Sequence, residues 1–220
     1  MSKRVAVVLA GAGVYDGSEL QEAILTLLAL DRAQAQVRCF APDVPQLHVI
    51  NHLSGAVSDE SRNVLVESAR IARGKIQDLA QLNVEDFDAI VLPGGYGAAK
   101  NLCTFGVKGA DCDIEPGVAA ALRGFFDAHK PIGVMCIAPS VLARALRDSG
   151  TPVTLTIGND AGTAAGIEAL HARHQDCPPG QVVVDARHKV VSTPAYMYDS
   201  RISEVARGID GLVESLLAMA

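Results

Sequence analysis

Ile132-Gly133-Val134-Met135-Cys136-Ile137-Ala138-Pro139 decides how this chain is read. A short apolar strand runs directly into a cysteine, and helical character resumes over residues 138–147. Pro139 suits an early helical position, because its missing N–H would have no intrahelical partner there. A thiol on such a turn meets the first N–H groups and the positive end of the following helix, which favours thiolate over thiol. The small side chain of Ala138 permits the tight turn, and the N–H of Ile137 is placed to face an oxyanion.

Working outward, apolar runs alternate with amphipathic stretches. A strand over residues 5–10 leads to a helix over about residues 18–30, with Leu20, Ala23, Ile24, Leu27 and Leu28 on one apolar face. Ser18 followed by Gln21 fits a capping box, which places Glu19 in the first turn, near the strand's carboxyl end. A strand at 37–40, an irregular excursion at 44–61 carrying His48, Asn51 and His52, and a helix at 62–73 follow. The buried-looking strand 89–92 ends in Pro93-Gly94-Gly95-Tyr96-Gly97, where the glycines permit unusual backbone angles. Val118, Ala121, Leu122 and Phe125 mark another helix. Strands at 153–157, 182–185 and 190–193 precede a last helix with Ile202, Val205, Ile209, Leu212, Val213 and Leu216 at helical spacing.

Alternation of this kind predicts one α/β domain over residues 1–220, a mostly parallel central sheet covered on both faces by helices. Functional groups in such folds gather at the strands' carboxyl ends. Three segments fall there: 11–19, 93–97 and 136–139. Cys136 is the expected nucleophile, Glu19 the expected proton carrier, and backbone N–H groups of Gly95 and Ile137 the expected oxyanion donors.

Composition narrows the function. With 19 Lys and Arg against 25 Asp and Glu the net charge is -6, and no basic cluster is present to bind nucleic acid or an anionic membrane. No run approaches the roughly 20 apolar residues of a membrane span. The apolar opening breaks at Gly11 and reads as a first strand rather than a signal peptide, so the cytoplasm is the expected compartment. Five cysteines, an odd number without a repeat, do not make a disulfide framework. Cys103 and Cys112 flank Gly106 and Gly109 in a loop, where a regulatory disulfide would need a distance that sequence does not supply. His171, His174 and Cys177 have metal-like spacing but no fourth ligand, and Pro178-Pro179 reads as a plain loop, so no metal is expected. The glycine turn at 94–97 lacks the spacing and the following Lys of a phosphate loop.

Taken together, residues 13–19, 92–102 and 133–139, with Ile50-Asn51-His52-Leu53 and Thr193-Pro194-Ala195-Tyr196-Met197, resemble the ThiJ/PfpI superfamily across nearly the whole chain. The similarity is to its ElbB branch, glyoxalase-like proteins associated with isoprenoid biosynthesis. The resemblance implies a flavodoxin-like three-layer sandwich, like that of class I glutamine amidotransferases, with a nucleophile elbow at Cys136, an acidic partner at Glu19 and an oxyanion turn at Gly94 and Gly95. It implies a homodimer and a cofactor-independent glyoxalase that turns glyoxal, or methylglyoxal, into the 2-hydroxy acid. The alternatives are a redox or carbonyl-stress sensor acting through Cys136 oxidation, and a protein or nucleotide deglycase. One departure stands out. Amidotransferases supply a downstream His, whereas residues 193–196 here hold none, and Ile137 stands where many relatives carry His after the cysteine. Amide hydrolysis thereby loses its general base.

Overall fold

The computed structural model describes residues 2–220. Strands β1 (Arg4–Val8), β2 (Gln36–Ala41), β3 (Ile76–Asp78), β4 (Ala89–Leu92), β5 (Ile132–Met135), β8 (Val183–Asp185) and β9 (Val190–Thr193) form one sheet, in the order β3-β2-β1-β4-β5-β9-β8. All pairs are parallel except β8 with β9. A separate parallel pair joins β6 (Thr154–Leu155) to β7 (Arg173–His174). The helices are α1 (Leu20–Arg32), α2 (Val64–Ile71), α3 (Phe105–Lys108), α4 (Pro116–Asp127), α5 (Pro139–Leu146), α6 (Ala161–Ala169) and α7 (Ile202–Met219).

Successive strand residues point to opposite faces, and the core divides accordingly. Ala6, Val8, Ile90, Leu92, Ile132 and Val134 meet α4 and α5 on one face. Val5, Val7, Val91, Met135 and Val191 meet α1 and α7 on the other. The flavodoxin-like three-layer expectation is realised, and the strand limits 89–92, 132–135 and 190–193 are those anticipated.

The structure departs from expectation at four places. The segment 153–157 contributes only β6, outside the main sheet, because Thr154 and Thr156 N–H donate to side chains of β8 and β9, the Asp185 carboxylate (2.8 Å) and the Ser192 hydroxyl (2.9 Å), rather than to backbone carbonyls of those strands. Strand β3, which pairs with β2, and helix α6 were not anticipated. Helix α1 is turned relative to expectation: Leu20, Ile24 and Leu28 are exposed, while Glu22, Ala23, Thr26, Ala29 and Leu30 are buried.

The chain crosses from the β2 side of β1 to its β4 side, so the loops after β1, β4, β5 and β9 meet at one edge. Glu19 N–H donates to Gly94 O (3.0 Å), Tyr96 N–H to Val14 O (2.8 Å) and Gly97 N–H to Gly17 O (2.9 Å). Asn101 ties three loops: its amide donates to Ala10 O and Asp16 O (2.9 Å each), and its oxygen accepts Leu47 N–H (3.0 Å).

Candidate active site

Cys136 ends β5 with φ +56°, a left-handed conformation that a non-glycine residue adopts only under constraint. The constraint is visible: its N–H donates to Thr193 O (3.0 Å), and Ala138 N–H closes the turn onto Met135 O (2.9 Å) before α5 begins. This is the strand-to-helix elbow expected from the sequence. The N–H groups of Gly95 and Ile137 both approach the sulfur.

The carboxylate beside that sulfur belongs to Glu22 and not to Glu19. Ser18 does not cap α1, because its hydroxyl accepts Ala10 N–H (2.9 Å). Glu19 takes the cap instead, its Oε2 accepting Glu22 N–H (2.7 Å). One turn on, Glu22 is fully buried, with Oε2 accepting Gly94 N–H (3.0 Å) and Oε1 accepting Tyr196 N–H (3.2 Å). Gly94 therefore spends its N–H on Glu22, which leaves Gly95 and Ile137 as the donors available to an oxyanion. Gly94 is also a steric necessity, since a Cβ there would lie 2.4 Å from the Cys136 Cβ. Gly95, at φ +92°, passes so close to α1 that a Cβ would meet Glu19 N at 2.3 Å.

Glu22 and Cys136 set each other's protonation. Burial raises the Glu22 pKa to about 7, and the nearby Glu19 charge adds to the rise against the pull of Tyr196 N–H, the Cys136 thiol and Gly94 N–H. Cys136 lies well above an ordinary thiol, first because it is buried and next because of the Glu22 charge; the Gly95 and Ile137 N–H groups oppose this without overcoming it. The favoured thiolate expected of the elbow is thus replaced by a thiol with a carboxylate positioned to take its proton.

Cys136 opens onto a cavity of about 370 Å³ whose walls include Glu19, Tyr96, Phe105, Ile137, Tyr196 and Met197, while Glu22 lies beneath it, behind the sulfur. The segment after β9 reaches the site, as anticipated, and contributes Tyr196 in place of a histidine. Ala195, at φ +46°, makes the bend that aims Tyr196 N–H at Glu22. Sequence reasoning missed Glu22, whose burial is atypical for a glutamate, and also the partner of His52. That ring stacks on Tyr15 with centroids 5.0 Å apart, its Nδ1 lies 3.0 Å from Ile50 O, and its Nε2 accepts Tyr15 N–H (3.3 Å). Farther off, His174 Nε2 accepts Ile157 N–H (3.4 Å) and the Cys177 thiol faces Pro178 O. Among the described residues no group of three or more His, Cys, Asp or Glu side chains is arranged to hold a metal.

A cysteine elbow at the carboxyl edge of a mostly parallel, doubly covered sheet defines the class I glutamine amidotransferase-like α/β fold. Within that class the chain belongs to the DJ-1/PfpI family, whose sequence profile matches residues 3–198 and whose members include glyoxalases, deglycases and stress sensors. It is 48% identical over 98% of its length to human glutamine amidotransferase-like class 1 domain-containing protein 3, mitochondrial, covering 83% of that protein. It is 47% identical to the rat ES1 protein homolog, mitochondrial, over 98% of this chain and 84% of the relative. Among solved structures, an isoprenoid biosynthesis protein with an amidotransferase-like domain from Ehrlichia chaffeensis superposes with TM-score 0.92 at 40% identity, covering 99% of this chain and all of the other. The mitochondrial names of the relatives overturn the cytoplasmic expectation.

Proposed function

We propose that the chain is a cofactor-independent glyoxalase in which Cys136 is the nucleophile and Glu22, in the part first expected of Glu19, is the general acid and base. The observation that carries this is the buried Glu22 carboxylate set against an elbow cysteine whose sulfur is approached by two backbone N–H groups. Ionised Glu22 takes the thiol proton as sulfur adds to one aldehyde of glyoxal, and the Gly95 and Ile137 N–H groups hold the resulting oxyanion. Glu22 hands that proton to the oxyanion and, ionised again, removes a proton from the hemithioacetal carbon and returns it to the neighbouring carbon through an enediolate, while the proton on the first oxygen passes to the second. The product is a thioester of glycolate, which water cleaves, so that glyoxal and water become glycolate with no net oxidation. A dicarbonyl is electrophilic enough to need only these groups, and the absence of histidine from the cavity walls weighs against amide hydrolysis. The raised Cys136 pKa weighs against the sensor reading, since oxidation follows thiolate character.

The cavity is larger than a two-carbon dicarbonyl requires and has no Lys, Arg or His in its wall. A neutral dicarbonyl with an apolar substituent fits it better than an anionic one. Glycolate formation from glyoxal by wild type, Cys136→Ala, Glu22→Gln and Glu19→Gln tests the reading. Activity is expected to vanish in Cys136→Ala, to fall by about 10²–10⁴ in Glu22→Gln, and to survive in Glu19→Gln. Wild type that makes no more glycolate than Cys136→Ala overturns it.

A further inference from the structure

Residues 102–104 and 113–115, which flank helix α3 in the chain, run antiparallel. Glu115 N–H donates to Leu102 O and Thr104 N–H to Asp113 O (2.9 Å each), with Cys103 bridged to Ile114. In this register Cys112 lies two places from Ile114, so Cys103 and Cys112 stand on one face as diagonal neighbours. Both are free, buried and packed into the same apolar cluster, and their thiols interact with each other. Neither has a part in the Cys136 chemistry.

Two further features bear on them. Cys103 lines a second cavity of about 330 Å³, with Pro45, Leu47, Asn101 and Asp113 in its wall. Helix α3 lies between the two cysteines in sequence, and its Phe105 and Gly106 are part of the wall of the Cys136 cavity.

We propose that Cys103 and Cys112 are a reversible disulfide-forming site that fixes the α3 wall of the Cys136 cavity. The Cys112 thiol is drawn down to about 7, first by the Cys103 thiol beside it, with the Arg144 guanidinium adding to the effect against burial. It is therefore the attacking thiolate. The oxidant is a hydroperoxide. Cys112 sulfur attacks its terminal oxygen, the O–O bond breaks, and Cys112 becomes a sulfenic acid while the departing oxygen takes up a proton. The Cys103 sulfur then attacks the sulfenic sulfur, the S–O bond breaks, and that oxygen leaves as water carrying the Cys103 proton. Two electrons pass from the thiols to the peroxide. Diagonal strand neighbours stand about 7–8 Å apart, beyond the usual reach of a disulfide, so bond formation requires the two stretches to draw together and closes α3 into a ring.

Hydrogen peroxide added to the full wild-type chain, followed by mass spectrometry of non-reduced digests, tests the site without reference to glyoxalase activity. The expected result is a peptide linking Cys103 to Cys112, with both thiols lost together and recovered by dithiothreitol. Amide hydrogen exchange over residues 104–111 should slow several-fold in the linked form. Cys112→Ser and, as a second variant, Cys103→Ala should each abolish the link while keeping the circular dichroism of wild type. If the two thiols stay free, or each is oxidised to sulfinic acid separately, the proposal fails. A link that leaves exchange over 104–111 unchanged overturns the effect on the cavity wall.

Discussion

At the scale of single residues, the part that sequence suggested for Glu19 falls to Glu22, three places on, and Glu19 takes the helix cap that sequence suggested for Ser18. Glu19 is exposed enough to serve a helix end and close enough to the cavity to look catalytic, yet its Oε2 is engaged by Glu22 N–H. Removing that cap in Glu19→Ala is expected to cost about 1 kcal/mol, read as a lower midpoint in urea, with glycolate formation kept. Gly94 is the more severe test. Alanine there drives a methyl into Cys136 Cβ and Glu22 Oε2, so Gly94→Ala should lose roughly 1–3 kcal/mol. It should also lose most of its activity, because the methyl pushes apart the two reacting groups. A Gly94→Ala protein with wild-type melting and turnover would refute this account of the turn.

Elements explain why some of the site was readable and some was not. The strand 132–135 and the cysteine behind it were legible because a continuous apolar run bounded by Pro131 and followed by Pro139 leaves few alternatives. The loops after β1 and β4 were legible as site-forming from their glycines. Helix α1 was misread because both of its faces carry apolar residues, and residue type alone favours the one with Leu20, Ile24 and Leu28. The buried face carries Glu22 and Thr26, which a hydrophobic pattern counts as polar. Only the fold shows that Glu22 is tolerated there, because Gly94, Tyr196 and Cys136 satisfy it. The contribution of Asn101 was equally hidden, since its three partners come from loops distant in sequence. Asn101→Leu would orphan Ala10 O, Asp16 O and Leu47 N–H at once. It should destabilise the chain by about 2 kcal/mol or more and raise KM for glyoxal more than it lowers kcat, as measured by denaturant unfolding and steady-state kinetics.

Across the whole molecule, the same buried carboxylate shapes how stability varies with pH. The pKa of Glu22 is 4.5 unperturbed and about 7 in the fold, so between these values the folded chain binds more protons than the unfolded one. The stability this provides is fully present below 4.5 and is lost as pH rises through about 7. Asp88, Asp113, Asp160 and Asp185 act in the opposite sense. For Asp185, burial pushes upward but is outweighed by His188 and Thr154 N–H; all four lie below 3.8, and their contribution is lost only as pH falls further into acid. Stability should therefore peak on the acidic side of neutral. It should fall by about 3 kcal/mol between about pH 5 and about pH 8, a drop on the order of 10 °C in Tm. Glu22→Gln removes the ionisable group and leaves one of the two backbone donors facing an amide N–H, so its Tm should be lower at about pH 5 yet nearly flat up to about pH 8. Calorimetric scans of the two proteins across this range decide the matter: equal slopes would mean that the charge buried beside Cys136 is not what makes the fold sensitive to pH.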